Sequence, residues 1–300
     1  MFTIPSDKVV YSMSSKHPPV LAVPDGSEVT FETCDCFQNQ IQVASDQLSG
    51  IDWNHINPAT GPLFVEGAMP GDVLKVSILK IEVADQGVMT PLPGEGALGD
   101  FLTEEITRII PIRDNKAYFT DSLLFDISPM IGVIGTAPSQ GEDISTGTPD
   151  AHGGNMDTKR IVEGSVLYLP VHVEGALLSM GDLHALMADG EVLFCGLETA
   201  GRVHVRVDVI KGVELPLPLL VEGDDVITIA SSELLDDAAL DATHQMMRLM
   251  LKHTTLSAEE AGMLMSLKGE LRISQIVDPK KTARMEFPLA LLKKYGFRLP

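Results

Sequence analysis

The sequence is poor in basic, aromatic and cysteine residues. Lysine and arginine number 22 against 42 aspartate and glutamate residues, so the formal net charge at pH 7 is −20. Charge of this sign repels phosphate backbones and anionic lipid head groups, which argues against nucleic-acid binding and against docking on a membrane surface. The same charge suits metal cations and neutral or cationic small molecules.

The chain contains three cysteines, at positions 34, 36 and 195. Three are too few for a disulfide framework, and the C-x-C spacing of Cys34 and Cys36 lacks the second pair of a structural zinc site. We therefore expect reduced thiols. Residues 1–20 lack the apolar segment of a secretory signal, so the simplest expectation is a cytoplasmic protein.

Long apolar runs and the common catalytic motifs are also missing. No stretch of eighteen apolar residues is present, which argues against a membrane-spanning helix. The nucleophile elbow G-x-S-x-G, the phosphate loop GxxxxGK[ST] and the zinc helix HExxH are absent. The chemistry must therefore come from residues that are dispersed along the chain.

The first two thirds of the chain have the pattern of β-strands. Short β-branched segments alternate with connectors rich in glycine and proline, and valines occupy every second position from Val203 to Val209. No helical pattern of 10–15 residues separates these segments. The pattern therefore favours a β-sandwich or barrel over a parallel βαβ sheet.

The last third changes character. Residues 234–252 have apolar residues at helical spacing, and a second helix is predicted from Ser257, with Glu260 completing a capping box, to Gly269. The segment 212–223 is rich in proline and glycine. We therefore predict a β-rich catalytic domain over residues 1–215 and an α+β C-terminal part over residues 216–300.

A short motif occurs twice. Val-Glu-Gly-Ala at 65–68 and again at 173–176 is followed in both places by Gly-Asp and an apolar strand. Two interpretations remain open: an internal duplication, or the chance recurrence of common turn residues.

Polar residues with catalytic potential concentrate in two segments. Residues 152–157, HGGNMD, combine an imidazole, an amide and a carboxylate around two glycines, which suits a metal or substrate site but also a plain surface turn. Asp182 and His184 share one strand face, which suits a cation such as Zn²⁺ or a simple hydrogen bond. Glu191 and Glu198 follow in the same stretch.

Three further features are candidates. Asp35 lies among apolar neighbours, which indicates a paired buried acid or a ligand. The turn-rich loop 57–62 leads to Glu66. Cys195 could act as a nucleophile, but its apolar setting favours a buried, inert thiol.

Four segments in order carry a family resemblance: TGPLFVEGAMPGDVL, IGVIGTAPS, HGGNMD and VEGALLSMGDLHALMADGEVLFCGLE. Over roughly residues 20–210 the chain resembles the acetamidase/formamidase family. The resemblance implies hydrolysis of short amides to a carboxylate and ammonia. It also implies a mainly β, jelly-roll-like sandwich with an added α+β part, a homodimer or higher homo-oligomer, and a divalent metal, either Zn²⁺ or Ca²⁺.

With this resemblance we predict a metal-assisted hydrolase of small linear amides. The predicted metal ligands are Asp35, His152, Asp157 and His184. The predicted catalytic residues are Glu198 or Glu191 for proton transfer and Asn155 for the oxyanion, and the predicted substrate-binding residues are Gly153, Gly154, Thr60 and Glu66. Two alternatives remain open: hydrolysis of a cyclic amide (lactam), and a non-catalytic protein that binds metal or amides.

Overall fold

The computed structural model describes residues 2–299, which form two large β-sheets and three α-helices. In chain order the elements are β1 (Phe2–Ile4), β2 (Val9–Val10), β3 (Ser12–Ser14), β4 (Leu21–Val23), β5 (Glu28–Thr33), β6 (Ala59–Val65), β7 (Val73–Val83), β8 (Gln86–Met89), β9 (Arg108–Arg113), β10 (Lys116–Thr120), β11 (Leu123–Asp126), β12 (Met130–Gly135), β13 (Asp143–Ser145), β14 (Gly153–Asn155), β15 (Val166–Pro170), β16 (Leu178–His184), β17 (Glu198–Thr199), β18 (Gly201–Ile210), β19 (Leu219–Glu222), β20 (Asp225–Ser232), α1 (Leu235–His253), α2 (Ala258–Lys268), β21 (Glu270–Gln275), β22 (Lys281–Pro288) and α3 (Leu289–Lys294).

The nine-stranded sheet has the order β1-β5-β18-β7-β15-β19-β20-β22-β21. Its longest pairing joins β18 and β7 in antiparallel register. Val203, Val205 and Val207 of β18 are fully buried. Arg202, just before them, and Arg206, between the last two, are exposed. The alternation that the sequence shows in this strand therefore buries one face against the core.

The eleven-stranded sheet runs β11-β10-β9-β8-β17-β16-β12-β14, and β6 adds to β16 together with β2 and β4. β16 is central, because it pairs with β12, β17 and β6, and all seven of its residues are buried. Any polar side chain on this strand is therefore held inside the protein.

The main core lies between the two large sheets. It combines residues such as Phe31 and Val205 of the nine-stranded sheet with Leu63, Ile134 and Met180 of the eleven-stranded sheet. Neither sheet closes on itself in the part of the chain that the structure describes. The predicted mainly β fold with a C-terminal α+β part is confirmed, and it is a sandwich rather than a barrel.

The C-terminal residues extend the first sheet. β19, β20, β22 and β21 continue the nine-stranded sheet beyond β15, and α1 packs on β20 and β22 around a second apolar cluster. The predicted capping box of Ser257 and Glu260 is present at the start of α2. The nine-stranded sheet thus contains strands from both sides of the division predicted between residues 215 and 216, and the division into two domains stays a prediction. None of the helices within residues 2–299 combines the length and apolarity needed to cross a membrane.

The two Val-Glu-Gly-Ala segments contact each other. The Val65 N–H donates to the Gly175 carbonyl at 3.0 Å, and the Gly175 N–H donates to the Ala68 carbonyl at 2.9 Å. The first segment begins at the last residue of β6, and the second lies in the turn between β15 and β16. An internal duplication stays a prediction.

Candidate active site

A group of acidic side chains surrounds the imidazole of His184, the last residue of β16. His184 Nε2 lies 3.1 Å from Glu198 Oε1, 3.5 Å from Asp182 Oδ1, 3.8 Å from Asp157 Oδ1 and 3.9 Å from Glu191 Oε1. All five side chains are at most 5% exposed. Residues from three separate stretches of chain thus converge inside the protein.

Three of these carboxylate residues have left-handed backbone conformations. The φ angle is 41° at Asp157, 54° at Asp182 and 46° at Glu191. Residues with a side chain seldom adopt this region, and such strained positions concentrate at functional sites. At Asp182 the pairing of β16 with β12 and β6 on either side holds the conformation.

Two glycines leave room for the acidic cluster. A Cβ atom on Gly132 would lie 2.5 Å from Asp157 Oδ1 and 2.7 Å from Asp182 Oδ2, and one on Gly196 would lie 2.6 Å from His184 Nδ1. These distances are too short for real contacts. Only glycine therefore allows the observed close approach of backbone and side chains.

A cavity of about 520 Å³ opens onto the cluster. Aromatic and apolar side chains, including Phe37, Trp53 and Phe194, form much of its wall. The C-terminal hairpin contributes Asp278, whose Oδ2 accepts a hydrogen bond from Asn155 Nδ2 at 3.0 Å. The cavity therefore joins a polar floor to an apolar wall, as expected for a small-molecule site.

Burial sets the protonation of the cluster. It raises the pKa of Asp157 and of Glu198 to about 7, with the charge of Asp182 adding to the rise in both. Burial and nearby carboxylates also hold the pKa of Glu191 well above its ordinary value. For His184, burial alone lowers the pKa, but Glu198 and Asp182 outweigh it and raise the pKa well above the ordinary value.

Several buried oxygens of the cluster have no hydrogen-bond partner among residues 2–299. They are both carboxylate oxygens of Asp157, Asp182 Oδ1, Glu191 Oε2 and Glu198 Oε2. A buried unpaired carboxylate is costly, and one imidazolium cannot balance so many acids. The oxygen and nitrogen donors fit a divalent cation, and ligand atoms of Asp157, His184 and Glu191 lie within 4.8 Å of one another.

A buried arginine holds the segment that carries Glu191. Arg284 of β22, only 1% exposed, forms a two-point ion pair with Asp189, with both Nη–Oδ distances at 2.8 Å. The next residue, Gly190, donates its N–H to the Ser274 carbonyl at 2.8 Å. β21 and β22 therefore determine where Glu191 lies.

The structure brings five of the predicted site residues together. Asp157, His184, Glu191 and Glu198 form the cluster described above, and Asn155 lies beside them on the cavity wall. These residues come from β14, β16, β17 and the loops that follow β14 and β16.

Two predicted metal ligands do not lie in this cluster. Asp35 Oδ1 accepts hydrogen bonds from the N–H groups of Phe37 (3.0 Å) and Asn39 (2.7 Å), so it stabilises its own turn. His152 is buried beside the Asp150 turn, and burial lowers its pKa to about 4. Neither residue lines the cavity of about 520 Å³.

The predicted substrate-binding residues also lie elsewhere. The Gly153 N–H donates to the Asp150 carbonyl at 3.0 Å, and Gly154 pairs with Ile134 inside the sheet. Thr60 Oγ1 donates to the Glu32 carbonyl at 2.8 Å, and Glu66 is exposed on the turn after β6. Backbone contacts thus occupy the Gly153 N–H and the Thr60 hydroxyl, and a substrate-binding role for the four residues stays a prediction.

Three site residues were not predicted as ligands or catalysts. For Asp182 the sequence offered a signal, because strand alternation places it on the same face as His184. Cys36 lies within 4.8 Å of Asp182 and Glu198, and Asp278 reaches the cavity from the C-terminal hairpin. For Cys36 and Asp278 no local sequence pattern indicates the site, because both are brought there by distant strand pairing.

Cys195 lines the same cavity but has the properties of an inert thiol. It is 7% exposed, and burial, together with the charge of Glu198, raises its pKa to about 12. A thiolate at neutral pH is therefore strongly disfavoured.

Comparisons with known proteins agree with this fold. The crystal structure of an acetamidase from Bacillus halodurans is 48% identical, with a TM-score of 0.97 over 98% of this chain and 100% of that chain. That of a recombinant predicted acetamidase/formamidase from Thermoanaerobacter tengcongensis is 49% identical, with a TM-score of 0.97 over 99% of each chain.

A formamidase from Methylophilus methylotrophus is 28% identical over an alignment 255 positions long, and the match covers 65% of this chain and 62% of that protein. The chain spans between 61% and 68% of the length of the curated relatives it matches. The profile of the acetamidase/formamidase family matches residues 13–142 and 141–294. The chain belongs to the acetamidase/formamidase family.

Proposed function

We propose that this protein hydrolyses small linear amides, of the formamide and acetamide type, to a carboxylate and ammonia. The observation that carries the proposal is the buried cluster of His184, Asp157 and Glu191, of which His184 and Glu191 line a cavity with largely apolar walls. Membership of the acetamidase/formamidase family supports the same reaction. Amide hydrolysis needs a polarised carbonyl, an activated water and a protonated leaving nitrogen, and the site offers groups for each.

We also propose that the site takes a divalent cation, Zn²⁺ in preference to Ca²⁺. Asp157 and His184 would hold it, with Glu191 alongside. Their buried oxygens, which have no partner within the described residues, support this proposal, and an imidazole ligand is typical of zinc. When bound, such a cation supplies Lewis acidity, which polarises an amide carbonyl and lowers the pKa of water to about 7.

Glu191 is the carboxylate that we assign to proton transfer. It follows β16 on a loop, and its Oε2 has no hydrogen-bond partner in the described chain. Glu198 is less available, because its Oε1 already accepts a hydrogen bond from the Gly196 N–H at 2.8 Å. Glu191 would accept a proton from the attacking water and deliver it to the departing nitrogen.

We assign Asn155 to stabilisation of the developing oxyanion. One hydrogen of its amide is donated to Asp278 Oδ2, and an amide group carries a second. Donation of that second hydrogen to the substrate oxygen would stabilise negative charge as the tetrahedral intermediate forms. The contact with Asp278 holds the Asn155 side chain in position meanwhile.

Two finer proposals concern the setting of the protein. The three cysteines are buried free thiols, which supports a reducing compartment such as the cytoplasm.

Exposed apolar side chains on the edge strand β11, namely Leu123, Leu124 and Phe125, support a homodimer or higher homo-oligomer. Light scattering of the purified protein tests the second proposal.

The main experiment measures ammonia release from formamide and acetamide by the full chain. Activity should disappear after dialysis against EDTA and return with Zn²⁺. Glu191→Gln should lower kcat by roughly two to four orders of magnitude, the usual contribution of a general acid–base. Glu174→Gln is the matched control, because Glu174 is exposed on the turn before β16, and it should leave the rate unchanged.

Two results would contradict the proposal. A folded wild-type protein that releases no ammonia from any short amide, with or without Zn²⁺, would exclude amide hydrolysis. A Glu191→Gln variant with normal kcat would exclude Glu191 as the proton carrier.

A further inference from the structure

The thiol of Cys36 lies on the same cavity, beside two carboxylates that the proposed proton transfer does not use. Atoms of Cys36, Asp182 and Glu198 lie within 4.8 Å of one another, and all three residues are buried. Asp182 Oδ1 and Glu198 Oε2 have no hydrogen-bond partner within residues 2–299, although these residues are only 3% and 2% exposed. Two buried acids that each have an unpaired oxygen therefore lie close to a sulfur atom.

We propose that Cys36, Asp182 and Glu198 form a second divalent-cation site, adjacent to the site of Asp157 and His184. This proposal rests on the proposed function, because both sites share one cavity. Sulfur is a soft ligand that favours Zn²⁺, Co²⁺ or Cd²⁺ over Ca²⁺ and Mg²⁺. The second site therefore takes a thiophilic ion.

The positions of Asp182 and Glu198 place the two sites side by side. Asp182 Oδ1 and Glu198 Oε1 approach His184 Nε2 at 3.5 Å and 3.1 Å, while each carboxylate has a second oxygen. Both residues therefore lie close to the imidazole and also to Cys36. Two adjacent cations would be able to hold both partners of a hydrolytic reaction.

Binding of a cation at this site releases one proton from Cys36. A cysteine binds a metal cation through its thiolate, so the Cys36 thiol must give up its proton. On binding, the S–H bond breaks, the proton leaves to solvent and a sulfur–metal bond forms. The positive ion thus replaces the proton between the sulfur and the carboxylates.

The competing explanation is that Cys36 only fills space. Its neighbours in the apolar cluster include Phe37, Ile41, Leu48 and Val88, so a buried thiol has a packing role there. Cys34, two residues earlier, is a useful comparison. It is equally buried, and its Sγ donates to the Ser6 carbonyl at 3.7 Å instead of facing the acidic cluster.

The test uses the full chain, stripped with a chelator and titrated with Co²⁺ alone. Thiolate bound to Co²⁺ produces a near-ultraviolet charge-transfer band, and elemental analysis counts the bound cobalt. The wild type and Cys34→Ser should both show the band. Cys36→Ser should lose the band and bind one equivalent of cobalt less than the wild type.

The outcomes separate this proposal from the proposed function. If Cys36→Ser does not fold, the double variant Cys34→Ser/Cys195→Ser, in which Cys36 is the remaining cysteine, must retain the band. The second site is overturned if the wild type shows no band, or if Cys36→Ser keeps the band and the full cobalt content. Ammonia release without the band overturns this site alone, and the band without ammonia release overturns the amidase proposal alone.

Discussion

Replacement of Arg284 by methionine removes the cation that holds the segment carrying Glu191. Breaking a buried ion pair by deleting one partner costs about 3–5 kcal/mol, because a buried charge loses its compensation. In this variant both acids still have another cationic partner. Asp189 retains its ion pair with Lys159 at 3.2 Å, and Glu286 retains its ion pair with Arg160 at 2.8 Å. We therefore expect Arg284→Met to lower the free energy of unfolding by about 3 kcal/mol, the lower end of that range.

The measurement is guanidinium-induced unfolding, with kcat for acetamide determined on the folded fraction. A loss of this size corresponds to a Tm decrease of roughly 6–12 °C for a large domain. The kcat should also fall at a temperature where the variant is fully folded, because the loop position of Glu191 depends on the Arg284–Asp189 contact. Lost stability alone would leave kcat of the folded fraction unchanged.

Arg272→Met is the matched control. Arg272 is the cross-strand partner of Arg284, but its ion pair with Glu270 is exposed, and such pairs contribute at most about 1 kcal/mol. If Arg284→Met is no more destabilising than Arg272→Met and retains normal kcat, the Arg284–Asp189 ion pair has no role in positioning Glu191.

Three further predictions follow from the cluster. Gly132→Ala should lower bound zinc and kcat together, at a cost of about 1–3 kcal/mol, because the new methyl group would displace Asp157 and Asp182; unchanged zinc content would contradict this. In EDTA-dialysed protein, urea unfolding should show lower stability at pH 8 than at pH 5. The pKa of Asp157 and Glu198 is about 7 in the folded state, above their ordinary values of 3.8 and 4.5, so the folded state holds protons that the unfolded state releases, and stability falls as pH rises from about 4 to about 7. Cys195→Ala should keep most of kcat with a modest loss of stability, whereas a drop of about a thousandfold in a folded variant would indicate a thiol nucleophile.

Local patterns in the sequence determined the strands, the helices and the family. The alternating valines of β18 predicted a half-buried strand, and Ser257 with Glu260 predicted the start of α2, because each pattern depends on neighbours only a few residues apart. The pairing of Asp182 with His184 on one face of β16 is a local property as well. The family resemblance, carried by four ordered segments, led to the same region of chain that forms the buried cluster.

Tertiary structure alone decided which polar residues meet. Asp35 was predicted as a ligand from its apolar setting, and its Oδ1 accepts N–H groups of its own turn, a contact that spacing does not reveal; its role as a ligand stays a prediction. Cys36 and Asp278 reach the site from opposite ends of the chain, through the register of strands that are far apart in sequence. A residue's neighbours in a sheet depend on strand order and register, which are global properties of the fold, so the composition of the site could not be predicted from local patterns.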